Sequence, residues 1–164
     1  MELYIKKMTE TYATEILNWN YPAPYDFYNN KLSKEALEEL LGNTYFAVTD
    51  QNELLIGFYC IGETAQVPKG NEFGVYENEC VDLGLGVRPN LTGKGFGSEF
   101  FKFILERILE SINFSTLRLT VAKFNKRAIR LYKNFGFKVE NEFYTERAEF
   151  ITMVRGKNLT PGII

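Results

Sequence analysis

Histidine is absent from the 164-residue sequence. Without it the Ser-His-Asp and Cys-His nucleophile machineries are excluded, together with the imidazole ligands that most metal sites use. Any acid or base must therefore come from Asp, Glu, Tyr, Cys or Lys, and no metal is expected. Cysteine is scarce: Cys60 and Cys80 lack C-x-x-C spacing and each lies in an apolar run. They read as two small buried core residues and not as a secreted disulfide framework. No run approaches the roughly 18 to 20 apolar residues of a membrane span, and Met1 to Glu10 carry no apolar signal core. The expectation is a cytoplasmic chain with no membrane partner. An excess of positive charge is missing as well, since 19 Lys and Arg against 21 Asp and Glu leave −2. No global field exists to hold nucleic acid.

What is present is core material: 45% hydrophobic and 15% aromatic residues beside 24% charged ones. That balance excludes disorder, collagen and coiled coil for the chain as a whole, and its length fits one domain. Leu3 to Lys7 reads as a strand, and Thr9 with Tyr12, Ile16 and Trp19 as a first helix. Residues 18 to 30, "NWNYPAPYDFYNN", hold two prolines and four Tyr and Phe without helical or strand period, an ordered aromatic loop. Ser33 caps a second helix through Leu41. Tyr45 to Thr49 and Leu54 to Ile61 form a hairpin across Asp50-Gln51-Asn52, and residues 62 to 79 read as loop.

The strand "VDLGLGV", Val81 to Val87, sets Leu83, Leu85 and Val87 on one face. Gly84 and Gly86 leave the backbone bare, as if something approaches it closely. From Gly97 or Ser98 a long amphipathic helix follows, with Phe101, Ile104, Leu105 and Ile108 at helical spacing. Residues 116 to 122 alternate as a strand, Asn125 to Asn134 are helical up to Gly136, and two strands, about Phe137 to Tyr144 and Ala148 to Arg155, close the chain.

Between strand and helix lies "TGKGFGS". Gly93, Gly95 and Gly97 let several amide N–H groups converge at a helix N-terminus, an arrangement that suits phosphate, and Lys94 adds a mobile cation. A tight strand-to-helix turn is the plainer alternative. The Walker A spacing is not met. The dinucleotide fingerprint fails too, because the spacing is G-x-G-x-G and the next strand ends "VAKFN" without a carboxylate.

"LGVRPNLTGKGFGS" resembles motif A of the GNAT superfamily of acyl-CoA-dependent N-acetyltransferases, [QR]-x-x-G-x-[GA] after a strand ending V-x-P. "NKRAIRLYKNFGF" resembles its motif B, N-x-x-A-x-x-L-Y-x-x-x-G-F. The two stand in the family's order, and the likeness extends over roughly residues 43 to 155. One departure is Thr92, where the family usually has Gln or Arg. The resemblance implies an α/β fold, a mixed twisted sheet of about six or seven strands with helices on both faces. It also implies acetyl transfer from acetyl-CoA to a primary amine of a small molecule or a protein N-terminus, directly and without an acyl-enzyme. A catalytically inactive acyl-CoA-binding module is the alternative, motivated by Thr92 and Val81. Monomer or homodimer is expected.

Carried over by position, the resemblance implies that the segment Thr92, Gly93, Lys94, Gly95, Phe96, Gly97 and Ser98 holds the coenzyme A pyrophosphate. Leu85 and Val87 would offer backbone groups to the pantetheine and the thioester carbonyl, where N–H donors stabilise developing negative charge. Asn125 and Tyr132, seven positions apart, lie within about 20° of one helical face. As plain structure they are an N-cap and a core aromatic. By resemblance Asn125 contacts the coenzyme and Tyr132 protonates the departing thiolate. The family's usual strand glutamate falls on Val81 here, so the base candidates are Asp82, Glu79 and Glu63, or ordered water. Acceptor binding would fall to Tyr21, Tyr25, Asp26, Phe27, Tyr28, Glu63 and Gln66, where aromatics with carboxylates suit a cationic amine.

Overall fold

The computed structural model describes residues 1–157. Seven strands form one mixed sheet: β1 (Leu3–Lys7), β2 (Tyr45–Asp50), β3 (Leu55–Ile61), β4 (Val81–Val87), β5 (Thr116–Ala122), β6 (Lys138–Tyr144) and β7 (Glu149–Gly156). Their order is β1-β2-β3-β4-β5-β7-β6. The β4/β5 pair is parallel and covers only Val81 to Leu83 against Leu117 to Leu119, although both strands run further. The α-helices among the described residues are α1 (Glu10–Leu17), α2 (Lys34–Leu40), α3 (Phe96–Ser111) and α4 (Lys126–Asn134). The chain divides into two compact units, one of Met1–Cys60 with Leu85–Gly97, the other of Ile61–Gly84 with Ser98 onward.

In the first unit, local chemistry sets the element ends. Thr9 accepts the Tyr12 N–H and Ser33 accepts the Ala36 N–H, so both helices start where a hydroxyl satisfies an orphan donor. Asp50 Oδ1 accepts the N–H groups of Asn52 and Leu54, at 2.8 and 3.0 Å, which closes the β2/β3 turn. The core gathers Ala13, Ile16 and Leu17 of α1 with Trp19, Leu40 and Ala47. The aromatic segment is not all loop: Tyr25–Tyr28 make a 3₁₀ turn.

The second unit is built around α3, which starts one or two residues earlier than its periodicity suggests and buries Phe100 as well as Phe101, Ile104, Leu105 and Ile108. Phe101 packs against Tyr132 and Phe135, each at 5.2 Å, and against Phe137 at 5.9 Å. Burying each such ring contributes about 1.5–3 kcal/mol. Gly136, at φ +88°, ends α4 and lets the Phe137 N–H return to the Tyr132 carbonyl. The segment expected as loop after β3 holds two 3₁₀ turns, Glu63–Ala65 and Pro68–Phe73. Cys60 is buried as expected, but Cys80 is only half-buried, and the two form no disulfide among the described residues. Arg155 is buried with no hydrogen-bond partner for its guanidinium among the described residues.

Candidate functional site

In the first unit, the end of β4 leads into the glycine turn. The Arg88 N–H donates to the Ile56 carbonyl at 2.8 Å, so residues 86 and 88 face β3 and the backbone of Leu85 and Val87 faces the opposite edge. The bareness of Gly86 has an internal cause. A Cβ there would lie 2.5 Å from Cε1 of Phe58, so the chain's own ring, packed against Trp19 and Tyr45, occupies that space. The expectation of an outside group approaching the backbone at Gly86 is corrected accordingly.

Beyond Pro89–Leu91, a 3₁₀ turn, the Thr92 hydroxyl donates to the Pro89 carbonyl at 2.8 Å and so braces its own turn. Gly93 and Gly95 adopt φ of +71° and +80°, backbone that side chains rarely tolerate. A Cβ at Gly95 would meet nothing within 4 Å. The turn is therefore open at Gly95. It feeds directly into α3 at Phe96, and the first N–H groups of a helix point out of its N-terminus. Lys94 is exposed. An open, left-handed, glycine-lined approach to the start of a sixteen-residue helix fits a diphosphate.

The aromatic segment reaches this strand end. Tyr21 donates its hydroxyl to the Val87 carbonyl at 2.7 Å, and its N–H donates to Asn29 Oδ1, also at 2.7 Å. Burial pushes the Tyr21 phenol up to about 12, so it is a donor at neutral pH. Tyr25, Phe27 and Tyr28 are half-buried around the exposed Asp26, with Phe27 and Tyr28 edge to face at 5.2 Å. Glu15 of α1 pairs with Arg88 at 2.8 Å.

In the second unit the structure joins two of the candidates. Asp82 is buried, and Gln66 Nε2 donates to its Oδ2 at 2.9 Å. Arg118, which neither motif contains, donates Nε and Nη2 to the same carboxylate at 2.7 and 2.8 Å. Its Nη1 donates to the carbonyls of Asn78 and Val75 at 3.2 and 3.4 Å, and its guanidinium lies 4.9 Å from the Tyr76 ring centre. Tyr76 in turn shares a hydrogen bond with Thr120 and accepts one from the Val67 N–H. The bonded carboxylate raises the Arg118 guanidinium above its ordinary value. A signal for this pair existed: each charge sits alone among apolar neighbours at the second or third place of a strand.

Glu63 and Glu79 are both exposed. The Gly62 N–H donates to the Asp82 carbonyl at 2.9 Å, which sets Glu63 one residue from β4. Asn125 caps α4 by accepting the Ala128 N–H at 3.1 Å. Tyr132 is 9% exposed, its ring in the Phe101 cluster. Lys126, Arg127, Arg130 and Lys133 line the exposed side of that helix.

This is the fold of known acetyltransferase structures. The spermidine N-acetyltransferase of Vibrio cholerae, in complex with CoA and spermine, superposes with a TM-score of 0.72 at 22% identity over 96% of each chain. An uncharacterized protein of Bacillus halodurans gives a TM-score of 0.74 at 14% identity, over 96% of this chain and 85% of that one. At the level of sequence, the profile of the acetyltransferase (GNAT) family matches residues 11–137, and the chain belongs to that family. Spermidine N(1)-acetyltransferase of Escherichia coli (strain K12) is 28% identical over 99 residues, 60% of this chain and 53% of the relative. The chain thus spans about half the length of the curated relatives it matches. Among the described residues no helix is long and apolar enough to cross a membrane.

Proposed function

We propose that this chain is an acetyl-CoA-dependent N-acetyltransferase acting on a primary amine, with polyamines such as spermidine as the acceptor class. The observation that carries this reading is the open glycine turn at Gly93 to Gly95, running from β4 into the N-terminus of α3. Membership of the family and the names of the relatives support it. The whole chain would act as one N-acetyltransferase domain in the cytoplasm, as a monomer or homodimer.

When bound, acetyl-CoA supplies an electrophilic thioester carbonyl and a thiol leaving group. Amides of Gly93, Lys94, Gly95, Phe96, Gly97 and Ser98 would hold its diphosphate against the positive end of α3. Leu85 and Val87 would present backbone to the pantetheine arm, an N–H there stabilising the oxygen that gains charge. Thr92, engaged with Pro89, supports the turn. Asn125 would contact the coenzyme, and the Tyr132 phenol would donate the proton that the thiolate takes.

For the base we favour Glu63 or Glu79 over Asp82. Three N–H donors already engage the Asp82 oxygens, and protonating it would dismantle a buried ion pair. Asp82 and Gln66 would then hold the segment after β3 in place. Tyr25, Asp26, Phe27 and Tyr28 would receive the cationic acceptor, aromatic faces and a carboxylate both favouring an ammonium group.

The test is acetyl-CoA-dependent thiol release against a panel of spermidine, spermine, an amino sugar and peptide N-termini. Turnover is expected with the polyamines. Tight acetyl-CoA binding with transfer to no amine would overturn the enzyme reading in favour of an acyl-CoA-binding module.

A further inference from the structure

One peptide group at the end of β4, the one joining Val87 to Arg88, is held on both sides. The Arg88 N–H is held by the Ile56 carbonyl at 2.8 Å, and the Val87 carbonyl, on the opposite side of the same peptide plane, takes the Tyr21 hydroxyl at 2.7 Å. That peptide is clamped at both ends. One clamp is strand pairing, but the other comes from a side chain 66 positions away, in the aromatic segment. The Val87 carbonyl lies on the edge of β4 turned away from β3, the same edge to which Val87 and Leu85 present their N–H groups. Tyr21 is bound at a second point, its own N–H resting on Asn29 Oδ1 at 2.7 Å. Asn29 directly follows the 3₁₀ turn Tyr25–Tyr28 and donates its N–H to the Asp26 carbonyl at 3.0 Å. An unbroken chain of hydrogen bonds therefore runs from Val87 through Tyr21 and Asn29 to the turn that carries Asp26.

We propose that Tyr21 is a positioning residue that couples the two substrates: its hydroxyl sets the Val87 peptide for the acyl-CoA arm, and its main chain holds the acceptor turn. This rests on the acetyltransferase reading above. The Tyr21 ring packs against the core of the first unit, so the hydroxyl is the adjustable part of the link. Fixing Val87 by occupancy of the β4 edge holds Tyr21 and, through Asn29, orders the turn that receives the amine. By linkage the reverse holds, and an amine on the turn tightens coenzyme binding by the same factor. Removing the hydroxyl of a tyrosine that merely stacked on the acceptor would leave the ratio of affinities with and without CoA unchanged.

The experiment measures spermidine affinity by calorimetry with and without saturating CoA, in the wild-type chain, Tyr21→Phe and Asn29→Ala. Tyr21→Phe keeps the packed ring and deletes the bond to Val87, whereas Asn29→Ala keeps that bond and cuts the second link. In the wild type CoA is expected to tighten spermidine binding roughly 5-fold or more, within the usual range of coupling, and in both variants the ratio falls towards 1. Hydrogen exchange of residues 19 to 30 in the ligand-free chain, read in parallel, is expected to quicken in both variants. A Tyr21→Phe chain with the wild-type ratio and unchanged exchange overturns the proposal, as does loss of coupling in Asn29→Ala alone. A wild-type chain that binds no CoA overturns the acetyltransferase reading and the coupling with it, while the ligand-free exchange still decides whether Tyr21 holds the segment.

Discussion

Arg118 grips Asp82 through two parallel N–H donors, at 2.7 and 2.8 Å, from directly opposed positions on β5 and β4. Both side chains are buried, and the guanidinium's remaining reach goes to the carbonyls of Val75 and Asn78. One cation thereby ties the segment after β3 to the sheet. Removing either partner leaves an uncompensated buried charge, so Arg118→Met or Asp82→Leu should destabilise the chain by about 3–5 kcal/mol. Replacing both with apolar residues should recover much of that loss. Urea denaturation of the two single variants and the double variant checks this, and additive losses would contradict it.

Gly86→Ala sets a methyl group 2.5 Å from the Phe58 ring. Overpacking of this kind costs about 1–3 kcal/mol. Combining it with Phe58→Leu should restore part of the stability, measured as the denaturant midpoint. An additive double variant would show that the ring does not fill this space.

Much of the fold was legible because strand alternation and capping chemistry are local. β1, β4 and β5 fall where their patterns place them, and Thr9, Ser33 and Asn125 cap the helices they precede. What local pattern leaves unread or misread shares a non-local cause. Arg118 alternates like a solvent-facing residue, yet this part of the sheet is covered on the face that carries it, so alternation does not report exposure there. Whether Gly86 is bare towards a ligand or towards Phe58 depends on the partner strand, which no local pattern reveals. Within the candidate site the glycine turn was visible as a motif, whereas the Tyr21 bond to Val87 joins residues with no sequence relation.

Gly95 offers the contrasting substitution. Its φ of +80° makes any side chain strained, by roughly 1–2 kcal/mol, but no neighbour would be struck. Gly95→Val is therefore expected to fold, with a modest loss of stability, while its affinity for CoA collapses, because the branched side chain would stand where the proposed site holds the diphosphate. Calorimetry on the folded variant checks this, and unchanged affinity would remove the turn from the binding site.

The alkaline limb of stability should depend on Tyr21. Its folded-state value is raised to about 12 by burial, against about 10 when unfolded. A raised value means that its contribution is complete below pH 10 and is lost as pH climbs towards 12, where the unfolded chain ionises first. Tyr21→Phe should flatten the fall in stability across that window. An unchanged slope would show that the hydroxyl is not held away from water.

For catalysis, Glu63→Gln or Glu79→Gln is expected to lower kcat/KM and erase the acidic limb of its pH profile. A carboxylate base is inactive once protonated, so its removal takes that limb with it. Retention of the limb in both variants would assign proton removal to water.

Mass analysis of spermidine after incubation with acetyl-CoA tests the central claim most directly, with the wild-type chain set beside Tyr132→Phe. The wild type should add one acetyl group to the amine with stoichiometric release of CoA thiol. Tyr132→Phe, which keeps the ring against Phe101 and removes the hydroxyl that would donate the proton, should do so roughly 100-fold more slowly, with acetyl-CoA affinity little changed. Equal rates in the two chains, or no acetylated amine from the wild type, would contradict the account.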